Sequence, residues 1–288
     1  MLTNNAVYAI LAVGMTCVLL TGGIDISVGS VLAVSAVSVT NLMVLYPTIS
    51  PLIWVISGCF IGGLCGFFNG FFIGKLKITP MIVTLASMYI FRALAFVIGG
   101  GEWIFTHAYT QSFMNLSQQN IIGFNAIVWW AIAVVLVFAF LFKYVPCMRR
   151  MYAVGSNEAS AKIAGINISR VKILAYTLCG ICTGLAGVLY SANYTMVNSD
   201  VGLGYEMTVI AICILGGVSI TGGRGEIDGV VIAICLMSVI TYLLSLLPGF
   251  SVWQMMLQGA IIIVAILINI LNTKLTEKHA LNERDRLI

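Results

Sequence analysis

Charge is scarce in this sequence. Of 288 residues only 8% are Asp, Glu, Lys or Arg, against about 25% in an ordinary soluble domain. Those few charges cannot cover the surface of so long a chain in water, so a soluble globular fold is excluded. Histidine is rarer still, with 2 residues. His107 has no second His or Cys in the outer loops to complete a metal site, so no metal ligand set is expected. No G-x-x-x-x-G-K-[ST] phosphate loop is present, and neither H-E-x-x-H nor G-x-S-x-G occurs. Nucleotide hydrolysis of the P-loop kind and the familiar zinc and serine hydrolases are therefore excluded, and no catalytic residue is assigned. No soluble stretch is large enough for a catalytic domain, and nothing in the charge pattern points to nucleic acid.

What is abundant is apolar sequence, at 60% of residues. It falls into nine segments, at about 5–22, 26–46, 52–74, 78–101, 121–142, 173–194, 207–222, 229–247 and 255–272. Each is near the 20 residues needed to cross about 30 Å of hydrocarbon as a helix, and none alternates as a barrel strand would. The expected fold is an all-α polytopic membrane protein with about nine spans in a single domain, 1–273, and a cytoplasmic tail, 274–288. The eight cysteines lie almost entirely inside the apolar runs, where they read as small packing residues, Cys179-x-x-Cys182 included.

Basic residues orient the chain. With the polar stretch 143–172 inside and each segment crossing once, 13 of the 14 Lys and Arg fall on the cytoplasmic side. Arg92 is the exception, within a span. The carboxyl terminus is then inside and Met1 outside, so either the amino terminus is unusual or, as we expect, a further helix precedes Met1. Outer connections carry Glu102, Asp200 and Glu206, candidates for docking a basic face of an external protein or simply solvated loop residues. Asp25 and Arg92 are the charges most nearly forced into the bilayer, each costing about 2.5–3.5 kcal/mol at a helix centre. Asp25 is expected near the inner boundary, orienting a helix break. Arg92 is expected toward the outer half, snorkelling outward or meeting Glu102 or Glu206.

The largest polar interruption, 143–172, holds a short helix signature. Ser156 or Asn157 can cap its start, Glu158 suits its first turn, and Gly165 its stop. Between them run Ala159, Ser160, Ala161, Lys162, Ile163 and Ala164, with Ala159, Ile163 and Ala164 as a small apolar stripe. Such a helix suits docking to a partner; a solvated linker is the alternative. Gly62, Gly66 and Gly70 recur every four residues, as do Gly180 and Gly184, and predict close helix contact. Thr21-Gly22-Gly23 followed by Gly29, and Thr221-Gly222-Gly223 followed by Gly229, share a spacing that marks either related helix breaks or a coincidence in a glycine-rich chain.

Four stretches together resemble one family. They are Ile10-Leu-Ala-Val-Gly-Met-Thr16, Leu20-Thr-Gly-Gly-Ile-Asp-Ile-Ser-Val-Gly-Ser30, Tyr152-Ala-Val-Gly-Ser-Asn-Glu-Ala-Ser-Ala-Lys-Ile-Ala-Gly-Ile166 and Leu215-Gly-Gly-Val-Ser-Ile-Thr-Gly-Gly-Arg-Gly225. In this order, from about residue 5 to the last span, the chain is similar to the permease subunits of bacterial monosaccharide ABC importers of the ribose and galactose type. The resemblance implies a multi-pass inner-membrane permease, not an enzyme, working by alternating access with a second permease copy or paralogue. A cytoplasmic ATPase that uses ATP and Mg, and an extracytoplasmic sugar-binding protein, would complete it. The chain itself would hold no cofactor. Residues 156–165 would couple to the ATPase, and Thr21, Gly22, Gly23, Asp25, Ser27, Gly29, Gly216, Gly217, Gly222, Gly223 and Arg224 carry the family's helix-break motifs. Members usually have ten helices, one ahead of the first motif here. Gly204-Tyr-Glu-Met207 and Trp253-Gln254 also resemble permeases for rhamnose-type sugars and a furanose-like autoinducer, so the substrate stays open among these and ribose, galactose and xylose. An ion-coupled secondary transporter using Asp25 or Arg92 is the competing reading.

Overall fold

The computed structural model describes residues 2–245 together with 256, 259, 260, 263 and 264. Apart from those isolated positions, the expected segment 255–272 lies outside the described residues. So do Pro248, Trp253–Gln254 and the tail 274–288 with Lys274, Lys278, Arg284 and Arg286.

The chain is helical, as its apolar runs require. Helices α1 (Leu2–Leu20), α2 (Val28–Leu45), α3 (Pro51–Gly74) and α4 (Pro80–Gly99) precede a long loop that carries the short α5 (Gln111–Gln118) and a two-stranded turn, β1 (Asn120–Ile121) with β2 (Phe124–Asn125). Then come α6 (Ala126–Tyr144), α7 (Pro146–Ser156), α8 (Glu158–Ile163), α9 (Ile168–Tyr194), α10 (Tyr205–Leu215) and α11 (Ile227–Ser245). Five of these, α2, α3, α4, α6 and α9, are long and apolar enough to cross a membrane on their own. Pro51 and Pro80 open α3 and α4 at the first helical position, where a missing N–H costs nothing.

The first helix is the axis of the bundle. Between Asn5 and Leu20 every residue of α1 is buried except Tyr8, because α9, α6, α10 and α11 pack around it. The peripheral helices are buried along one face only. Phe60, Leu64, Tyr89, Val97, Leu136 and Phe140 point outward and exposed, the pattern of a surface solvated by lipid rather than water. The two glycine stripes face one another: a Cβ on Gly62 would overlap the carbonyl oxygen of Gly180, and one on Gly184 that of Gly58. The backbones of α3 and α9 therefore touch, which only small residues permit. All eight cysteines are free thiols.

One expectation is corrected. The segment 207–222 does not form a full span: α10 has 11 residues, about 16 Å of helix, half of a bilayer core. The missing half is made by the preceding stretch, 195–204, which folds inward. It starts on an isolated bridge between Ile104 and Val197 and descends until Gly202 lies against Gly29 at the start of α2. The expected span ran on to 222, but Gly216 and Gly217 end the helix and 216–222 is a turn.

Candidate functional site

Described cations gather in two clefts at one end of the bundle. Lys77, Lys162 and Lys172 line one cleft of about 440 Å³ with Glu158, Thr79 and Ser169, and Arg150 and Arg170 line a second beside Gly165. Helix α8 stands between them. The Asn157 side chain caps it, accepting from the Ser160 N–H at 2.9 Å, while Glu158 occupies the first turn and Lys162 the last, each complementing the helix dipole. Gly165 ends the segment with φ +78°. Glu158 forms an ion pair with Lys172 at the start of α9, whose own cap is Asn167, accepting from the Arg170 N–H at 3.1 Å. Ala161 alone turns inward; Ala159, Ser160, Lys162, Ala164 and Ser156 are exposed, and Ile163 is 89% exposed.

The helix that carries α8 is firmly rooted. Sequence reasoning treated 143–156 as part of a loop, but Pro146 starts α7, and Met148, Met151 and Val154 bury its inner face. The Tyr152 hydroxyl donates to the carbonyl oxygen of Gly225 at 2.9 Å, and burial raises the pKa of this phenol, keeping it a donor. One turn on, Gly155 sits where three backbones meet. A Cβ there would overlap the Leu20 carbonyl oxygen at the end of α1 and lie 2.5 Å from the Gly223 nitrogen. Gly223 in turn donates its N–H to that same Leu20 carbonyl at 3.0 Å. Gly222, at φ +88°, comes so close to Gly22 that an added Cβ would be 2.7 Å from the Gly22 nitrogen. The Thr21-Gly22-Gly23 and Thr221-Gly222-Gly223 turns, noted separately as possible repeats, thus touch each other and the stem of α8. The Ser219 N–H donates to the Arg224 carbonyl and closes the second turn; Arg224 itself is exposed. Gly216 packs against Gly229 and Val230, and Gly217 takes a positive φ, so α10 turns sharply into α11.

Asp25 organises the break between α1 and α2. Its Oδ1 accepts from the Ser27 N–H at 2.9 Å and the Ser27 hydroxyl at 2.6 Å, an Asx turn ahead of the helix. Asn69 of α3 donates to the same Ser27 hydroxyl at 2.8 Å, and Tyr176 and Thr84 both donate to the Ile24 carbonyl. Asp25 is buried, 3% exposed. Arg92 lies elsewhere and makes no ion pair with it: its Nη1 donates to the carbonyl oxygens of Ser199 at 2.7 Å and Val201 at 2.8 Å. It holds down the inward-folded stretch. Glu206 and Asp200 both act electrostatically on Arg92, and the Glu206 carboxylate is turned toward Gly29. Of the three outer acids, Glu102 and Asp200 are exposed, whereas Glu206 is half-buried. Among the described residues, no group of His, Cys, Asp and Glu is arranged to hold a metal.

A family model described as the permease component of branched-chain amino acid transport systems matches residues 1–266. The ribose import permease of Bacillus subtilis is 36% identical over 272 residues, 93% of this chain and 83% of the relative. An L-arabinose ABC transporter permease of Azospirillum brasilense is 34% identical, covering 89% and 75%, and the ribose import permease of Escherichia coli strain K12 is 32% identical, covering 93% and 84%. The chain belongs to the ribose- and arabinose-type ABC importer permeases. It is a multi-pass inner-membrane transport subunit of the sugar-permease kind, and in this family the ATPase is a separate polypeptide. No solved structure matches it.

Within this permease, sequence reasoning placed the α8 segment and both glycine turns, but not what joins them. Tyr152 and Gly155 were visible only as letters of a motif. The inward fold of 195–204 carried a signal that could have been weighed: glycines at 202 and 204 flanking a run too short for a full helix.

Proposed function

We propose that this permease imports a monosaccharide, pentoses foremost, in a complex driven by a cytoplasmic ATPase that seats on α8. The observation that carries the reading is the pairing of an outward-facing α8, with Ile163 exposed, and a stem locked by Gly155 to α1 and to the α10–α11 turn. A push or pull on α8 passes to α7, whose Gly155 touches the end of α1. ATP and Mg belong to the ATPase, whose binding and hydrolysis steps tilt α7, and α1 and α10 follow. The cavity then opens alternately outward and inward. A second permease copy or paralogue forms the other wall, the carboxyl terminus lies in the cytoplasm, and an external sugar-binding protein docks near Glu102 and Asp200. That receptor supplies selectivity, so the permease needs only weak affinity, which favours release.

Reconstitution tests this. The chain, its ATPase, its partner permease and its binding protein in proteoliposomes should take up sugar only with ATP inside or outside as the ATPase orientation dictates. Uptake that survives ATP depletion and collapses with an uncoupler would instead establish ion coupling.

A further inference from the structure

The cleft between α8 and the α3–α4 turn is part basic and part apolar. Lys77, Lys162 and Lys172 line it from the turn, from α8 and from α9, and Thr79 adds a hydroxyl. Ile73, Ile78, Pro80 and Ile168 supply much of the rest. Glu158 is the one carboxylate in the lining, and it is paired with Lys172. Lys77 and Lys162 are exposed and form no ion pair among the described residues, so the cleft carries positive charge that nothing in it neutralises. Lys77 is held there by a left-handed backbone, φ +57°, a conformation that costs any residue with a Cβ.

Helix lengths give the depth of this cleft. α3 has 24 residues, about 36 Å of rise, and so crosses a hydrocarbon core of about 30 Å with a turn to spare. It ends at Gly74, and α4 starts at Pro80 on the same side. The Ser169 hydroxyl of α9 donates to the Gly74 carbonyl, which sets the start of α9 at that level too. Three helices long enough to span therefore end at the cleft, where hydrocarbon gives way to headgroups. Beside it Leu76, Met81 and Ile82 are exposed, an apolar rim at the same height.

Unpaired cations next to an exposed apolar rim suit a ligand that carries negative charge and apolar chains together. A soluble anion would use only the cations, and an acidic protein surface would leave the rim uncovered. We propose that this cleft binds the phosphodiester headgroup of an anionic phospholipid, with the phosphate at Lys77 and Lys162 and the acyl chains along Met81 and Ile82. Its volume of about 440 Å³ holds a phosphate and several waters, each of about 30 Å³. The bound lipid ties α8 to the α3–α4 turn and reinforces the Glu158–Lys172 pair, so the seating of α8 follows membrane composition. Neither sugar nor ATPase takes part in this binding, and its failure would leave the importer reading intact.

The test titrates the full-length permease, purified in detergent and stripped of lipid, with dioleoylphosphatidylglycerol or dioleoylphosphatidylcholine and counts bound lipid by native mass spectrometry. Each lysine near an anionic headgroup is worth about fivefold in binding, so one phosphatidylglycerol should bind about tenfold or more tighter than phosphatidylcholine. Lys77→Gln with Lys162→Gln should lose at least about fivefold of that affinity. Lys77→Arg with Lys162→Arg should keep it, as should Lys75→Gln, exposed on the same turn but outside the lining. A second measurement needs no variant: in the wild type, phosphatidylglycerol but not phosphatidylcholine should slow acetylation of Lys77 and Lys162 by an N-hydroxysuccinimide ester relative to Lys75. Equal affinity of the double glutamine variant and the wild type for phosphatidylglycerol, or equal acetylation with the two lipids, overturns the site. Displacement of the lipid by inorganic phosphate at matched ionic strength would assign the cleft to a soluble phosphate and overturn it as well. If the double glutamine variant keeps its lipid and loses the ATPase, the cleft is a protein seat instead.

Discussion

Replacing Gly155 with alanine tests whether the stem of α8 is locked. In an unencumbered helix interior the change would stabilise by up to about 1 kcal/mol, because alanine restricts the unfolded chain and glycine does not. Here the new methyl overlaps the Leu20 carbonyl oxygen and sits 2.5 Å from the Gly223 nitrogen, so about 1 Å of separation must open to reach ordinary contact. Neither neighbour is the free end of a side chain. Both are backbone, and Leu20 and Gly223 are hydrogen-bonded to each other, so moving one disturbs the other. Overpacking of this kind costs about 1–3 kcal/mol, which corresponds to a fall in Tm of roughly 2–12 °C for a domain of this size. Thermal unfolding of the purified permease in detergent, followed by tryptophan fluorescence, reads the sign directly. The companion measurement is ATP-driven uptake in proteoliposomes, expected to fall while the ATPase still binds. A Gly155→Ala protein as stable as the wild type or more so, with full uptake, would refute the locked stem and with it the route by which α8 moves α1.

Three other outcomes follow from the same geometry. Ile163→Asp, on the exposed tip of α8, should leave Tm unchanged and abolish co-purification of the ATPase; retention of the ATPase would show that this surface is not its seat. Arg92→Met should release the 199–201 backbone by removing two charge-assisted hydrogen bonds, each worth about 1.5–3 kcal/mol, and a cysteine placed at Val201 should then react faster with a maleimide. Asp25→Asn keeps an acceptor for both Ser27 donors, so uptake should persist, whereas an ion-coupling carboxylate would be silenced by the same change; Asp25→Ala should destabilise by about 1–3 kcal/mol.

Local features were legible in the sequence because local residues cause them. Asn157 and Gly165 bound α8 where cap and stop chemistry said they should, and the four-residue glycine spacing in α3 and α9 became a backbone contact. The lopsided basic residues collected at one end. What stayed hidden depends on residues far apart in the chain. Gly22 and Gly222 stood out as separate turns and Gly155 not at all in a chain with 29 glycines, and only folding brings the three together. The same holds for Arg92, whose partners are carbonyl oxygens that no side-chain pattern marks. The half-length of α10 escaped because the apolar residues Val218 and Ile220 of the glycine turn after Leu215 extend the hydropathy signal past the end of the helix.

The central position of α1 also bears on how the molecule is made. Among the described residues, the helices that pack on α1, namely α6, α7, α9, α10 and α11, follow it in the chain. During synthesis α1 enters the membrane before its neighbours exist and spends that interval among lipid tails. Its polar side chains are suited to the wait. Thr16 donates to the Ala12 carbonyl at 2.8 Å and Cys17 to the Val13 carbonyl at 3.8 Å, bonds made within the helix itself. Lipid is then displaced as each later helix arrives, and the axis is sealed only when α10 and α11 close over it.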